Sequence, residues 1–134
     1  MKITYFLFLI MFIASCKTTK KTKKEMSLNN KYQVVKINGL DSLSVKPTLN
    51  FDFEKNKANG FAGCNRFTAD FTKEKNKLKL GMLIATKMYC TNMKVEKVFL
   101  SNLNKTTQYK TTNNELFLMD ETGKVLITLN QVKE

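Results

Sequence analysis

From residue 31 onward, apolar and polar positions alternate with a period of two along most of the chain, and that alternation predicts half-buried strands. Tyr32 to Ile37 is a β-rich run stopped by the turn signal Asn38-Gly39. After the only proline, Pro47, the stretch Leu49-Asn50-Phe51-Asp52-Phe53 alternates strictly, and Lys55-Asn56-Lys57 turns the chain. Phe67, Ala69 and Phe71 then alternate with Thr68, Asp70 and Thr72, and Leu78, Leu80 and Met82 repeat the pattern. Ile84 to Tyr89 is a further strand candidate leading into Cys90. The period then changes: Val95, Val98, Phe99 and Leu103 share one face of a helix over about Asn92 to Leu103, with Thr91 or Asn92 to cap its start and Asn104 to end it. Thr107 to Thr111 and Glu115 to Met119 flank the hairpin signal Asn113-Asn114, and Asp120 to Gly123 turns the chain into a last strand over Lys124 to Leu129. About eight short strands around one helix predict a mainly β fold, a small antiparallel barrel whose closure also removes exposed edges. No internal repeat is present.

The first 30 residues follow different rules. Residues 1–15 pair Lys2 with an apolar run from Ile3 to Ile13, too short for a membrane-spanning helix of roughly 20 residues but suited to the core of a signal peptide. Ile13-Ala14-Ser15-Cys16 resembles the bacterial lipobox, in which the cysteine is lipidated and becomes the new N-terminus; the alternative is an ordinary secretory signal with an incidental cysteine. In Lys17 to Asn30, lysines alternate with threonines and nothing apolar precedes Met26. This composition predicts a disordered tether over residues 16–30, either attracted to anionic head groups or serving as a plain solvated spacer. Residues 31–134 form the single globular domain.

Charge and cysteine count narrow the partners. The net charge is +12, falling to +11 when Lys2 leaves with the signal. That charge is dispersed and carries no nucleic-acid-binding motif, so attraction to anionic surfaces is the simpler inference, with no nucleic-acid partner expected. The chain has no histidine, which removes the commonest catalytic base and metal ligand. Its acidic residues are scattered, and it lacks a phosphate loop, a nucleophile elbow and a metal-ligand cluster; no enzyme activity, cofactor or metal is expected. Of the three cysteines, lipidation removes Cys16, leaving Cys64 and Cys90 as one candidate disulfide in an oxidising envelope, or as two buried thiols.

The organising stretch is Gly60-Phe61-Ala62-Gly63-Cys64-Asn65-Arg66-Phe67. It holds two of the five glycines, and Arg66 is the only arginine among 23 basic residues. Arg and Lys differ wherever planar geometry matters, so Asn65 and Arg66 form either a structural feature or the rim of a binding site. Two readings stand for Arg66, and the structural one is the expectation: its fork satisfies several carbonyls or a carboxylate. Thr86 and Lys87 read as ordinary strand residues rather than partners in a cleft.

Together these landmarks resemble the META domain of the HslJ-like envelope lipoproteins. The resemblance spans about Tyr32 to Leu129. It rests on Tyr32 through Ile37-Asn38-Gly39, on Gly63-Cys64-Asn65-Arg66-Phe67, and on Ala85-Thr86-Lys87-Met88-Tyr89-Cys90. Glu96 in the helix and the closing Leu116-Phe117-Leu118 and Val125-Leu126-Ile127 pair complete it. Tyr32 departs from the family's usual tryptophan, which implies looser packing at that end of the barrel. The resemblance implies a small β-barrel with one helix across an opening, related in architecture to secretin pilot lipoproteins, and no known reaction. The expected function is therefore a monomeric, non-enzymatic binding or accessory module of the cell envelope. A lipid anchor at Cys16 would hold it at the outer membrane, with an unidentified envelope protein as partner. The competing function is a carrier of a lipid or small hydrophobic ligand inside the barrel, which a dry interior packed by Phe51, Phe53, Phe67 and Phe71 would exclude.

Overall fold

The computed structural model describes residues 31–132, so the signal peptide, Cys16 and the tether lie outside the described residues. Nine strands and one helix follow in order: β1 (Tyr32–Ile37), β2 (Thr48–Asp52), β3 (Lys57–Phe61), β4 (Arg66–Glu74), β5 (Lys77–Leu80), β6 (Ile84–Ala85), α1 (Lys94–Asn104), β7 (Gln108–Thr112), β8 (Glu115–Met119) and β9 (Val125–Gln131). All the pairings are antiparallel, and they run β1-β2-β3-β4-β5-β7-β8-β9 and back to β1. Eight strands therefore close a barrel, as the alternation predicts, while β6 adds to β4 alone. Every described element pairs or packs within residues 31–132, which gives this stretch its own closed core.

The alternation explains what is inside. Phe51, Phe67, Ala69, Phe71, Leu78, Leu116, Leu118, Ile127 and Leu129 are buried in one core, and Val95, Phe99 and Leu103 of α1 join it. Phe51 and Phe71 meet edge to face at 5.2 Å between ring centroids, Phe53 and Phe71 at 5.1 Å, and Phe67 and Phe99 at 5.7 Å. Phe51, Phe67 and Phe71 thus pack within the interior, with Phe53 partly buried against them. A depression of about 330 Å³ lies between Lys36, Asn38, Phe117, Val125, Leu126 and Thr128.

Helix α1 crosses the end of the barrel where β1 stops and β4 begins. There Asn102 Nδ2 donates to the Asn38 carbonyl (3.1 Å). The helix starts two residues later than its periodicity suggests; Asn92 Oδ1 accepts from the Lys94 amide (3.1 Å), and no side chain caps Met93. In the β8–β9 turn, Asp120 accepts from the Thr122 hydroxyl (2.7 Å) and from the Thr122 and Lys124 amides. Those bonds, the hydroxyl's first, hold its carboxyl below the usual range.

Four local expectations change. The segment Lys57–Phe61 forms β3 although Asn59 and Gly60 are poor strand formers. It pairs with both β2 and β4, and a Cβ at Gly60 would run into the Thr48 carbonyl, so only glycine permits that approach. Met82 and Ile84 face solvent rather than the core. Register explains this: Phe71 pairs with Leu80 but Phe67 with Ala85, so one extra residue enters near Gly81 and reverses which side chains point inward. The strand expected over Ile84 to Tyr89 shortens to Ile84–Ala85, because side chains rather than a ladder hold the rest. Finally, Tyr32 is fully buried against Phe51, and its hydroxyl finds no partner among the described residues.

Candidate functional site

The stretch between β3 and β4 meets the segment between β6 and α1 at the helix-covered end. Gly63 takes φ +127°, in the region that favours glycine, and a Cβ there would stand 3.0 Å from Val45 Cγ2 and 3.6 Å from the Glu96 amide. This turn aims successive backbone amides at the first turn of α1. Cys64 N–H and Asn65 N–H both donate to Glu96 Oε2, at 2.9 and 2.5 Å, and Asn65 Nδ2 donates to Glu96 Oε1 at 2.8 Å. The Glu96 carboxylate is thus a pure acceptor, with Glu96 only 5% exposed.

Asn65 is the hub. It is 2% exposed, and all four hydrogen-bonding positions of its amide are used. Nδ2 donates to Glu96 and to the Met88 carbonyl (3.1 Å); Oδ1 accepts from the Thr86 hydroxyl (2.8 Å) and the Met88 amide (2.7 Å). Its carbonyl accepts from Ala62 N–H at 2.8 Å. No other residue type offers two donors and two acceptors on so short a stem. Cys64 and Cys90 form a disulfide beside this hub, with their Cα atoms 6.1 Å apart. The spacing of Thr86, Met88 and Cys90 now has a cause. Thr86 reaches the Cys64-Asn65 pair through its hydroxyl, Met88 through its backbone and Cys90 through the disulfide, while the side chains of Lys87, Met88 and Tyr89 are exposed.

Arg66 behaves differently from its expectation. Its backbone is tied to Thr86, receiving the Thr86 amide (3.0 Å) and donating to the Thr86 hydroxyl (3.2 Å). Its side chain is exposed, and among the described residues the guanidinium makes no hydrogen bond or ion pair. The fork therefore does not satisfy buried carbonyls. Asn65, expected beside it on a rim, lies beneath the surface as a structural element. Thr86 belongs to the hub, whereas Lys87 is an ordinary exposed residue. Glu96 carries the part that motif reading missed: a glutamate in the first turn of a helix looks like a partner for the helix dipole. Only the fold brings Cys64 and Asn65 to it, from 32 and 31 residues away. Among the described residues no group of three or more His, Cys, Asp or Glu could hold a metal ion, and no helix is long and apolar enough to cross a membrane.

A closed eight-stranded antiparallel barrel, covered at one end by a single helix and locked there by a buried Asn–Glu pair and a disulfide, defines the class. The META domain family model matches residues 24–133, and the chain belongs to that family, which is associated with the cell envelope. Solved structures share the fold. A protein from Burkholderia xenovorans, determined by NMR, is 20% identical with a TM-score of 0.63 over 79% of this chain and 83% of its own. A second NMR structure is 24% identical with a TM-score of 0.59 over 77% and 89%. A DUF4847 family protein from Bacteroides vulgatus is 17% identical with a TM-score of 0.52 over 66% and 60%. No curated protein matches the chain.

Proposed function

We propose that this protein is a lipid-anchored, non-enzymatic accessory module of the cell envelope, tethered through Cys16 and presenting its barrel to a partner. One observation carries the non-enzymatic part: the most chemically suggestive residues are consumed in holding the chain together. Glu96 accepts three N–H bonds, Asn65 has no free position, and Cys64 is bonded to Cys90. A general base needs a lone pair free for substrate, and this carboxylate directs its contacts inward. The lipobox-like Ile13-Ala14-Ser15-Cys16 supports the anchor, and outer-membrane placement follows from it as part of the proposal. Mass spectrometry of the protein from native membranes should find a chain starting at Cys16 with added acyl mass. Cys16→Ser should release a folded, soluble domain. An unmodified Cys16 in the membrane-derived protein ends this reading.

A further inference from the structure

The residues between Gly81 and Cys90 carry an exposed apolar ridge. Met82 is 81% exposed, Ile84 61%, Met88 63% and Tyr89 89%, although each is large and apolar enough to belong in a core. The backbone beneath the ridge is pinned at several points: Ile84 pairs with Thr68, Met88 is held through its backbone N–H and carbonyl by Asn65, Thr86 by Asn65 and Arg66, and Cys90 by Cys64. The buried lock thus has a consequence at the surface: it fixes an apolar strap outward.

The sequence around the ridge is basic. From Lys75 to Val95 the chain contains five lysines and no acidic residue. Exposed Arg66 adjoins the ridge through its backbone bonds to Thr86, and exposed Lys87 lies within it. The acid on the adjoining stretch of β4, Asp70, is taken up by Lys57 at 2.5 Å. Large apolar side chains and a tyrosine set among cations without an ion pair among the described residues are the composition of an interfacial membrane contact: the apolar groups enter the head-group boundary, the phenol stays at its level, and the cations meet phosphates. Chain length agrees. The 14 residues from Lys17 to Asn30 span at most about 50 Å fully extended, so an acyl chain on Cys16 keeps the barrel within that distance of the bilayer.

We propose that the Met82–Tyr89 ridge, with Arg66 and Lys87, docks the barrel against an anionic lipid surface. The tether argument rests on the anchor reading of the preceding section, but the docking test does not require the anchor. Residues 31–134, which omit both Cys16 and the tether lysines, are mixed with vesicles of phosphatidylcholine alone or with phosphatidylglycerol and floated on a gradient. The domain should float with the phosphatidylglycerol vesicles. Lys87→Glu should weaken partition by roughly fivefold or more, and Ile84→Ser/Met88→Ser by about tenfold. Because these side chains are exposed, the variants should melt with the parent. The chain has no tryptophan, so Tyr89→Trp reports locally: its emission should shift to the blue on binding and be quenched by brominated acyl chains. No flotation, an unshifted tryptophan, or undiminished binding by Ile84→Ser/Met88→Ser overturns the proposal. So does a dimer in sedimentation that the same double variant abolishes, because the ridge would then belong to a second copy. Flotation of the domain beside an unmodified Cys16 would sink the anchor alone, and acylated Cys16 beside a domain that does not float would sink the docking alone.

Discussion

Replacing Glu96 with glutamine is the sharpest perturbation of the lock, because it keeps the shape and removes only the charge and one acceptor. The glutamine carbonyl can still accept from the Cys64 and Asn65 amides, now at neutral strength, a loss of about 1 kcal/mol on each bond. Its amide nitrogen then faces Asn65 Nδ2 across the 2.8 Å now spanned by a hydrogen bond, donor against donor. Asn65 cannot flip to relieve this, since Oδ1 is committed to Thr86 and Met88. A frustrated buried pair adds roughly 1–3 kcal/mol, for a total near 3–5 kcal/mol. Domains of this size are stable by about 5–15 kcal/mol, so the loss is a large share, equivalent to roughly 15–30 °C in melting temperature. Urea unfolding of residues 31–134, followed by circular dichroism, measures it, with exposed Glu115→Gln as the reference change expected to stay within about 0.5 kcal/mol. A Glu96→Gln variant within about 1 kcal/mol of the parent would show that the network contributes no more than ordinary surface bonds.

Three further outcomes follow from the geometry. Reducing Cys64–Cys90, whose partners are 26 residues apart, should destabilise the domain by about 3.5 kcal/mol on the chain-entropy model; free thiols in unfolded, unreduced protein would contradict the bridge. Burial, aided by the nearby Tyr109, pushes the Tyr32 phenol up to about 12 from 10.0. The folded state therefore retains a proton that the unfolded state releases, so stability present below pH 10.0 declines as pH rises toward 12, by up to about 1.4 kcal/mol per pH unit. Tyr32→Phe should flatten that decline, and at neutral pH it should match or exceed the parent, because it deletes an unpartnered hydroxyl; a steep decline that persists in the variant would place the titration elsewhere. Arg66→Lys should leave the melting temperature unchanged, since its guanidinium has no described partner; a loss above about 1 kcal/mol would restore a structural role for the fork.

Much of this molecule was legible without coordinates. Leu49, Phe51, Phe67, Ala69, Phe71, Leu116, Leu118, Ile127 and Leu129 sit at alternating positions, and period two assigns them to one face whatever their partners are. The helix announced itself in the same way, through Val95, Phe99 and Leu103. The Gly60–Phe67 stretch stood out because glycines, a cysteine and the sole arginine crowd together there. Within that stretch Asn65 makes the bonds to Thr86, Met88 and Glu96, while the Arg66 side chain lies at the surface.

What the chain alone determined is local: which residues prefer strand or helix, and which face of each is apolar. Only the tertiary structure decided the rest, because it depends on neighbours far apart in sequence. Strand β3 exists because two partners hold a sequence that would not extend by itself, and Gly60 admits one of them. One inserted residue near Gly81 turns Met82 and Ile84 outward, a change of register that an alternation count cannot register. Glu96 is a helix-start glutamate until the barrel closes; then two amides and a side-chain amide converge on it, and burial makes their satisfaction obligatory.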